Sequence, residues 1–269
     1  MKHLPLRVFA GLMYLFLFGP IVLVLVNSFN ADPNLVEWSG FTGRWYRQAM
    51  SEDVVVDGIK NSLLIALTAT TASVVGGTLA AIAVRNVPGV VRAATDASTY
   101  ARLVMPEIVL AVGLLLTFRA LGYQLGFVTV IVAHTSLYTA YVILIVSARL
   151  SRRDRFTEEA ARDLGATAWR TMLRVTLPEA APAMATAGVL IFTFSMDNVI
   201  SSLFLSSGLN TLPLVLFSMI HTHITPEVNA LGGMLSVLPV AAFAVFALAR
   251  GIRRRRSQVT QIVVEVSGR

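Results

Sequence analysis

Two carboxylates lie where a carboxylate is costly. Glu107 follows Pro106 in the apolar run MPEIVLAVGLLL (105–116), and Asp197 lies in FTFSMDN (192–198). Counted from the ends of their apolar stretches, Glu107 is about 14 Å deep and Asp197 about 21 Å deep at 1.5 Å per helical residue. Both depths fall within a hydrocarbon layer of about 30 Å. In such surroundings a carboxyl group becomes neutral, pairs with arginine or binds a cation. Intramembrane acids are therefore candidates for a solute path. The stretch around Glu107 has Arg102 and Arg119 only at its ends, and the stretch around Asp197 has no basic residue. A flexible diamine or triamine suits two such acids. Its methylenes would meet aromatics such as Phe192, Phe194, Phe118 and Tyr141, and Asn198 belongs to the same group. Alternatively, one or both acids hydrogen-bond to Ser, Thr or Asn on a neighbouring helix. The residues alone leave both possibilities open.

The elements that must position these side chains are apolar helices. The chain has 269 residues, 55% hydrophobic and 14% charged, with a mean hydropathy of +0.71. A soluble domain of this size carries roughly a quarter charged residues. Six stretches are long enough for a helix of about 20 residues to cross a bilayer: approximately 8–26, 62–84, 98–121, 127–148, 183–205 and 230–249. The first is longer than a signal-peptide core and no small-residue cleavage site follows it, so it reads as a retained anchor. A single all-α membrane domain over 1–269 is expected, with both termini on one face.

Arginine and lysine orient it. Of 22 basic residues, 18 fall on the side of the termini and of the loops 85–97 and 149–182; Arg44, Arg47, Lys60 and Arg119 are the other 4. The bias explains the net charge of +7 without nucleic acid. The run Arg253–Arg256 reads as a stop-transfer anchor at lipid headgroups. Trp38, Trp45 and Tyr46 suit an outer interfacial belt. Ala69, Ser73, Gly77 and Ala81 give the second span a small-residue face for close helix packing. There are no cysteines, which excludes disulfides and thiolate metal sites. His221 and His223 form an H-x-H pair, too few ligands for zinc; contact with a partner protein is the expected role. His134 reads as a packing residue.

The loop between the fourth and fifth stretches is the second candidate site. Phe156, Ala160 and Leu164 fall at i, i+4 and i+8 on one helical face. Gly165 permits a reversal. A second short helix over Ala168–Thr176 is expected to end at Leu177–Pro178, because proline disfavours helix in the residue before it. Two short helices around a glycine make a knob for a groove on another protein, with Glu159 available to pair with a basic residue there. Both lysines, Lys2 and Lys60, lack a preceding glycine, so no phosphate-cradling G-x-x-x-x-G-K-[ST] loop exists. No zinc-protease or G-x-S-x-G signature occurs either.

Glu159, Ala160 and Ala161, then Gly165, then Val175, Leu177 and Pro178 match the spacing of the EAA loop of type I ATP-binding-cassette (ABC) importer permeases, with Val175 in place of Ile. SARL (147–150), AARDLGAT, VTLP, FTFSMDN and LPLVLFSMIHTHITPEVNAL (212–231) resemble the C-type permease of the spermidine/putrescine family. Similarity extends through FTGRWYRQAM (41–50), MPEIVLAVGLLL and LGFVTVIVAHT (125–135). The resemblance implies a six-span permease of the bacterial inner membrane, moving polyamines by alternating access. It also implies a heterodimer with a second six-span permease, an extracytoplasmic substrate-binding protein, and an ABC ATPase dimer that carries the ATP and magnesium. The coupling residues would be Glu159, Ala160, Ala161, Gly165, Leu177 and Pro178. The path residues would be Glu107, Asp197, Asn198, Phe192 and Phe194. Two departures stand out. The family often has Asp-Asp where this chain has Asp197–Asn198, and IHTH is unusual. The same fold could import ferric ion, an opine or a modified amino acid.

Overall fold

The computed structural model describes residues 4–151, 156–222, 225–241, 243, 244, 247 and 248. His223, the Arg253–Arg256 run and the end of the sixth stretch lie outside the described residues. The chain forms two compact units. One comprises Met1–Asn61 with Asn210–Val240, and the other Ser62–Leu209 with Ala241–Arg269. No strand occurs among the described residues.

The first unit begins with α1, Leu4–Asn27. No residue of its apolar window is fully buried within the chain, as in an apolar helix facing lipid or another subunit. Asp32 then organises a turn by accepting from the backbone N–H groups of Asn34, Val36 and Glu37 at 3.0, 2.8 and 3.1 Å. These three bonds hold its carboxyl below the usual range, the Glu37 bond most strongly. In α2, Arg44–Ala49, Trp45 is not the interfacial anchor its type suggests. It is 7% exposed and its indole N–H donates to the Asn30 carbonyl at 2.7 Å. Ala49 and Val55 pack with Leu212 and Val215 of α11, Leu212–Thr222, and with Leu231 of the helix 226–241.

The second unit carries the cleft and the loop. α3, Asp53–Val84, enters it from Ser62. The small-residue face predicted on α3 is its contact surface. Ala69, Ser73 and Ala81 are fully buried, and Ser73 Oγ donates to the Thr135 carbonyl of α6, Phe127–Ser151, at 3.4 Å. A Cβ on Gly77 would lie 2.6 Å from Val142 Cβ and 3.1 Å from the Thr139 carbonyl. Valine is stiff at χ1 and cannot swing aside. Gly77→Ala is therefore expected to destabilise the protein by about 1–3 kcal/mol, the usual range for overpacking, seen as a lower unfolding midpoint in detergent.

Two of the expected continuous spans are broken. The stretch 98–121 falls across α4, Gly89–Val104, and α5, Glu107–Ala120, bent by 108°. Proline drives its predecessor out of the helical region, and Met105 sits at φ −67°, ψ 130°. Stretch 183–205 is interrupted between α9, Leu177–Met196, and α10, Ile200–Leu205, with Asp197 at φ −97°, ψ 4°.

The end of the loop also differs from the reading above. Leu177–Pro178 does not terminate a helix. α8, Ala168–Thr171, runs through a π-turn at Met172–Thr176 directly into α9. Proline lacks an N–H and its ring crowds the carbonyl four residues back. The wider π-turn lies just ahead of Pro178, which occupies the first turn of α9, where a missing N–H costs least.

Candidate solute path and coupling site

The two breaks meet at one place. Irregular backbone at membrane depth is tolerated where it is buried in protein or lines a cavity. Here Glu107, the first residue of α5, and Asp197–Asn198, at the end of α9, line one cleft of about 400 Å³ with Tyr138, Tyr141, Phe194, Val199 and Ile200. The helix dipole favours a negative group at the start of α5.

Asn198 is the knot of this cleft. It is 5% exposed. Its amide nitrogen donates to Glu107 Oε1 and, at 2.8 Å, to the Tyr138 hydroxyl. Its amide oxygen accepts from the Ser201 N–H at 3.0 Å. Ser201 Oγ donates to the same Glu107 oxygen at 2.9 Å. Tyr138 in turn donates to the Phe194 carbonyl at 3.1 Å. Both amide hydrogens of Asn198 are used. An aspartate at this position could not donate to Glu107, which explains why Asn rather than a second Asp fits this cleft.

The two acids thus differ. Glu107 makes the interhelical hydrogen bonds that were one of its two possible fates. Asp197 is exposed to the cleft, and no hydrogen bond or ion pair to its carboxylate occurs among the described residues. Phe194 and Tyr141 form an aromatic wall, with ring centroids 5.4 Å apart at 75°. Phe192 does not line this cleft, and Phe118 packs against the core of α5, α6 and α10. The sequence reading missed Tyr138. Its signal was the series His134, Tyr138 and Tyr141, one polar-aromatic face of α6 at i, i+4 and i+7. His134 itself is buried, with Nδ1 2.7 Å from Ser195 Oγ.

The loop is built as tightly. α7, Phe156–Asp163, ends in a Schellman motif. Gly165 at φ +85° donates to the Arg162 carbonyl at 2.8 Å, and Ala166 to the Ala161 carbonyl at 3.0 Å. Thr167 caps α8 by accepting from the Arg170 N–H. Glu159 and Ala160 are exposed, and Ala161 is half-buried. Phe156, Leu164 and Trp169 are 72%, 90% and 65% exposed, an apolar group of the kind that marks a docking surface. Leu177 and Pro178 are the first two residues of α9.

His221 is engaged locally: its Nδ1 lies 2.8 Å from the Phe217 carbonyl, with the two rings 4.4 Å apart. No cluster of three or more potential metal ligands occurs among the described residues.

The pattern of the family described as "Binding-protein-dependent transport system inner membrane component" matches residues 73–258, more than half of the chain. The chain belongs to that family. The permease is 34% identical over 253 residues to the putrescine transport system permease protein PotI of Escherichia coli (strain K12), covering 90% of each chain. It is 36% identical over 234 residues to the spermidine/putrescine transport system permease protein PotC of Haemophilus influenzae, covering 87% of this chain and 91% of that one. Among solved structures, a bacterial ABC transporter involved in alginate import superposes with a TM-score of 0.75 at 15% identity, covering 94% of this chain and 96% of that one. The MetNI methionine ABC transporter superposes at 0.63 with 19% identity, covering 74% and 94%. These two establish the fold: the permease has the all-α architecture of ABC importer membrane subunits. It is a multi-pass component of the inner membrane. It is not the ATPase, which is a separate subunit, and a binding protein delivers the solute.

Proposed function

We propose that the permease imports polyamines, pairing with a second six-span permease above an ABC ATPase dimer that holds ATP and magnesium. It crosses the membrane six times with both termini in the cytoplasm. The carrying observation is the relationship to putrescine and spermidine/putrescine permeases at 34% and 36% identity across about nine-tenths of the chain. The chemistry of the cleft supports it. Asp197 offers a carboxylate with no partner among the described residues and Glu107 a second acid one hydrogen-bonded residue away, while Phe194 and Tyr141 offer ring faces to a cation and its methylenes. Glu159, Ala160 and Gly165, with the exposed Phe156, Leu164 and Trp169, form the knob that seats in the ATPase.

Alternating access follows from these parts. ATP-driven closure of the ATPase pair displaces the knob, rocks the spans and opens the cleft outward to a loaded binding protein. The cation then passes to the carboxylates at mid-membrane. Ile200, Val199 and the aromatic pair limit water around it, which strengthens a charge–charge contact.

The test is reconstitution of the complete transporter in liposomes with labelled solutes. ATP-dependent uptake of putrescine or spermidine is expected. Binding and uptake of ferric ion, an opine or a modified amino acid, with none of either polyamine, would refute the substrate while leaving the importer fold intact.

A further inference from the structure

The glutamate preceding the EAA triplet faces inward. Glu158, exposed by only 16% at its side chain, forms an ion pair with Arg85 at 2.9 Å. Arg85 directly follows the last residue of α3. The same Oε1 of Glu158 accepts from Thr176 Oγ1 at 3.0 Å. Thr176 is the last residue of the π-turn and immediately precedes α9. One carboxylate oxygen therefore ties three elements together: the knob helix α7, the end of α3 and the root of α9. All of this lies beside a cavity of about 240 Å³ lined by Glu158, Arg85, Trp169, Met172 and Thr176.

The direction of α9 gives the tie its significance. From Leu177 the helix runs 20 residues to Met196, about 30 Å at 1.5 Å per residue, and its far end carries Phe194, Asp197 and Asn198 of the cleft. π-turns are local interruptions of the helical ladder that recur at functional sites. Here the interruption sits between the knob and the rod. Glu158 bridges it with a half-buried, charge-assisted contact, stronger than a neutral hydrogen bond.

We propose that Glu158, held by Arg85 and Thr176, is the positioning residue that transmits knob displacement to α9 and hence to the solute cleft, whereas the adjacent Glu159 serves docking. The proposal rests on the reading of 156–165 as the ATPase-docking knob. Removing the tie uncouples the machine without undocking it.

The experiment uses the complete transporter in liposomes and measures ATP hydrolysed per polyamine imported, alongside co-purification of the ATPase. Glu158→Ala and Thr176→Val are expected to leave the ATPase bound and basal hydrolysis unchanged. The ATP-to-solute ratio is expected to rise about tenfold for Glu158→Ala, inside the roughly 5–150-fold span of ordinary coupling energies, and less for Thr176→Val. Glu158→Gln retains the acceptor for Thr176 and should recover part of the coupling. The double variant should be no worse than Glu158→Ala, because the two residues share one interaction. An unchanged ratio in both single variants overturns the proposal, as does loss of ATPase binding in either. Glu159→Lys separates the two readings: if it leaves the ATPase bound, the docking assignment fails; if it releases the ATPase while Glu158→Ala transports normally, the tie alone fails.

Discussion

Asp197→Asn is expected to reduce ATP-driven polyamine uptake by about 10²-fold while the transporter assembles as before. Removing one partner of a desolvated charge pair costs roughly 2–5 kcal/mol, and each step of about 1.4 kcal/mol is tenfold, so a 10²-fold loss lies near the lower end. Assembly should survive because asparagine is nearly isosteric and the Asp197 carboxylate holds no other group in place among the described residues. Initial uptake rates compared with the yield of intact complex separate the two effects. Unchanged uptake would remove Asp197 from the solute path. Glu107→Leu should behave differently. It leaves the Asn198 amide and the Ser201 hydroxyl without their shared acceptor, at about 1–3 kcal/mol for each buried group left unpaired. The yield of folded protein should fall together with uptake, whereas Glu107→Gln keeps an acceptor and should spare the yield.

Gly165→Pro is expected to abolish ATPase capture with membrane insertion intact. Proline fixes φ near −65°, and Gly165 stands at +85°. It would also remove the N–H that closes the Schellman motif on Arg162. The chain after α7 would leave in another direction, and the arrangement of α7 and α8 that forms the knob would be lost. Loss of a well-packed contact costs about 2 kcal/mol or more, or roughly 30-fold in affinity, enough to eliminate co-purification at micromolar concentrations. Glu159→Lys should act by charge reversal on an unaltered backbone. Retention of the ATPase by both variants would exclude this loop as its site.

The amphipathic loop and the small-residue face of α3 are both local properties of the chain. Each depends on residues within a few helical turns, so periodicity and composition suffice to read them. That is why the positions of α1, most of α3 and α6, the reversal at Gly165 and the two acids Glu107 and Asp197 were legible without coordinates.

Partner choice was not legible, because it depends on contacts between residues far apart in the chain. Whether Glu107 would bind a cation or hydrogen-bond to another helix was open until α5 and α10 were placed together, which gave it Asn198 and Ser201 from more than 90 residues away. Likewise, Glu158 and Glu159 are indistinguishable in sequence. Only the meeting of Arg85 and Thr176 turns one inward and leaves the other exposed. The prolines marked where helices would be disturbed, but not how. Pro106 broke its span because the chain turns away there, while Pro178 was absorbed by a π-turn because α9 packs against α6 and continues straight through. Sequence chemistry determined which groups were unusual for a bilayer; tertiary packing decided which were satisfied and which remained free to act.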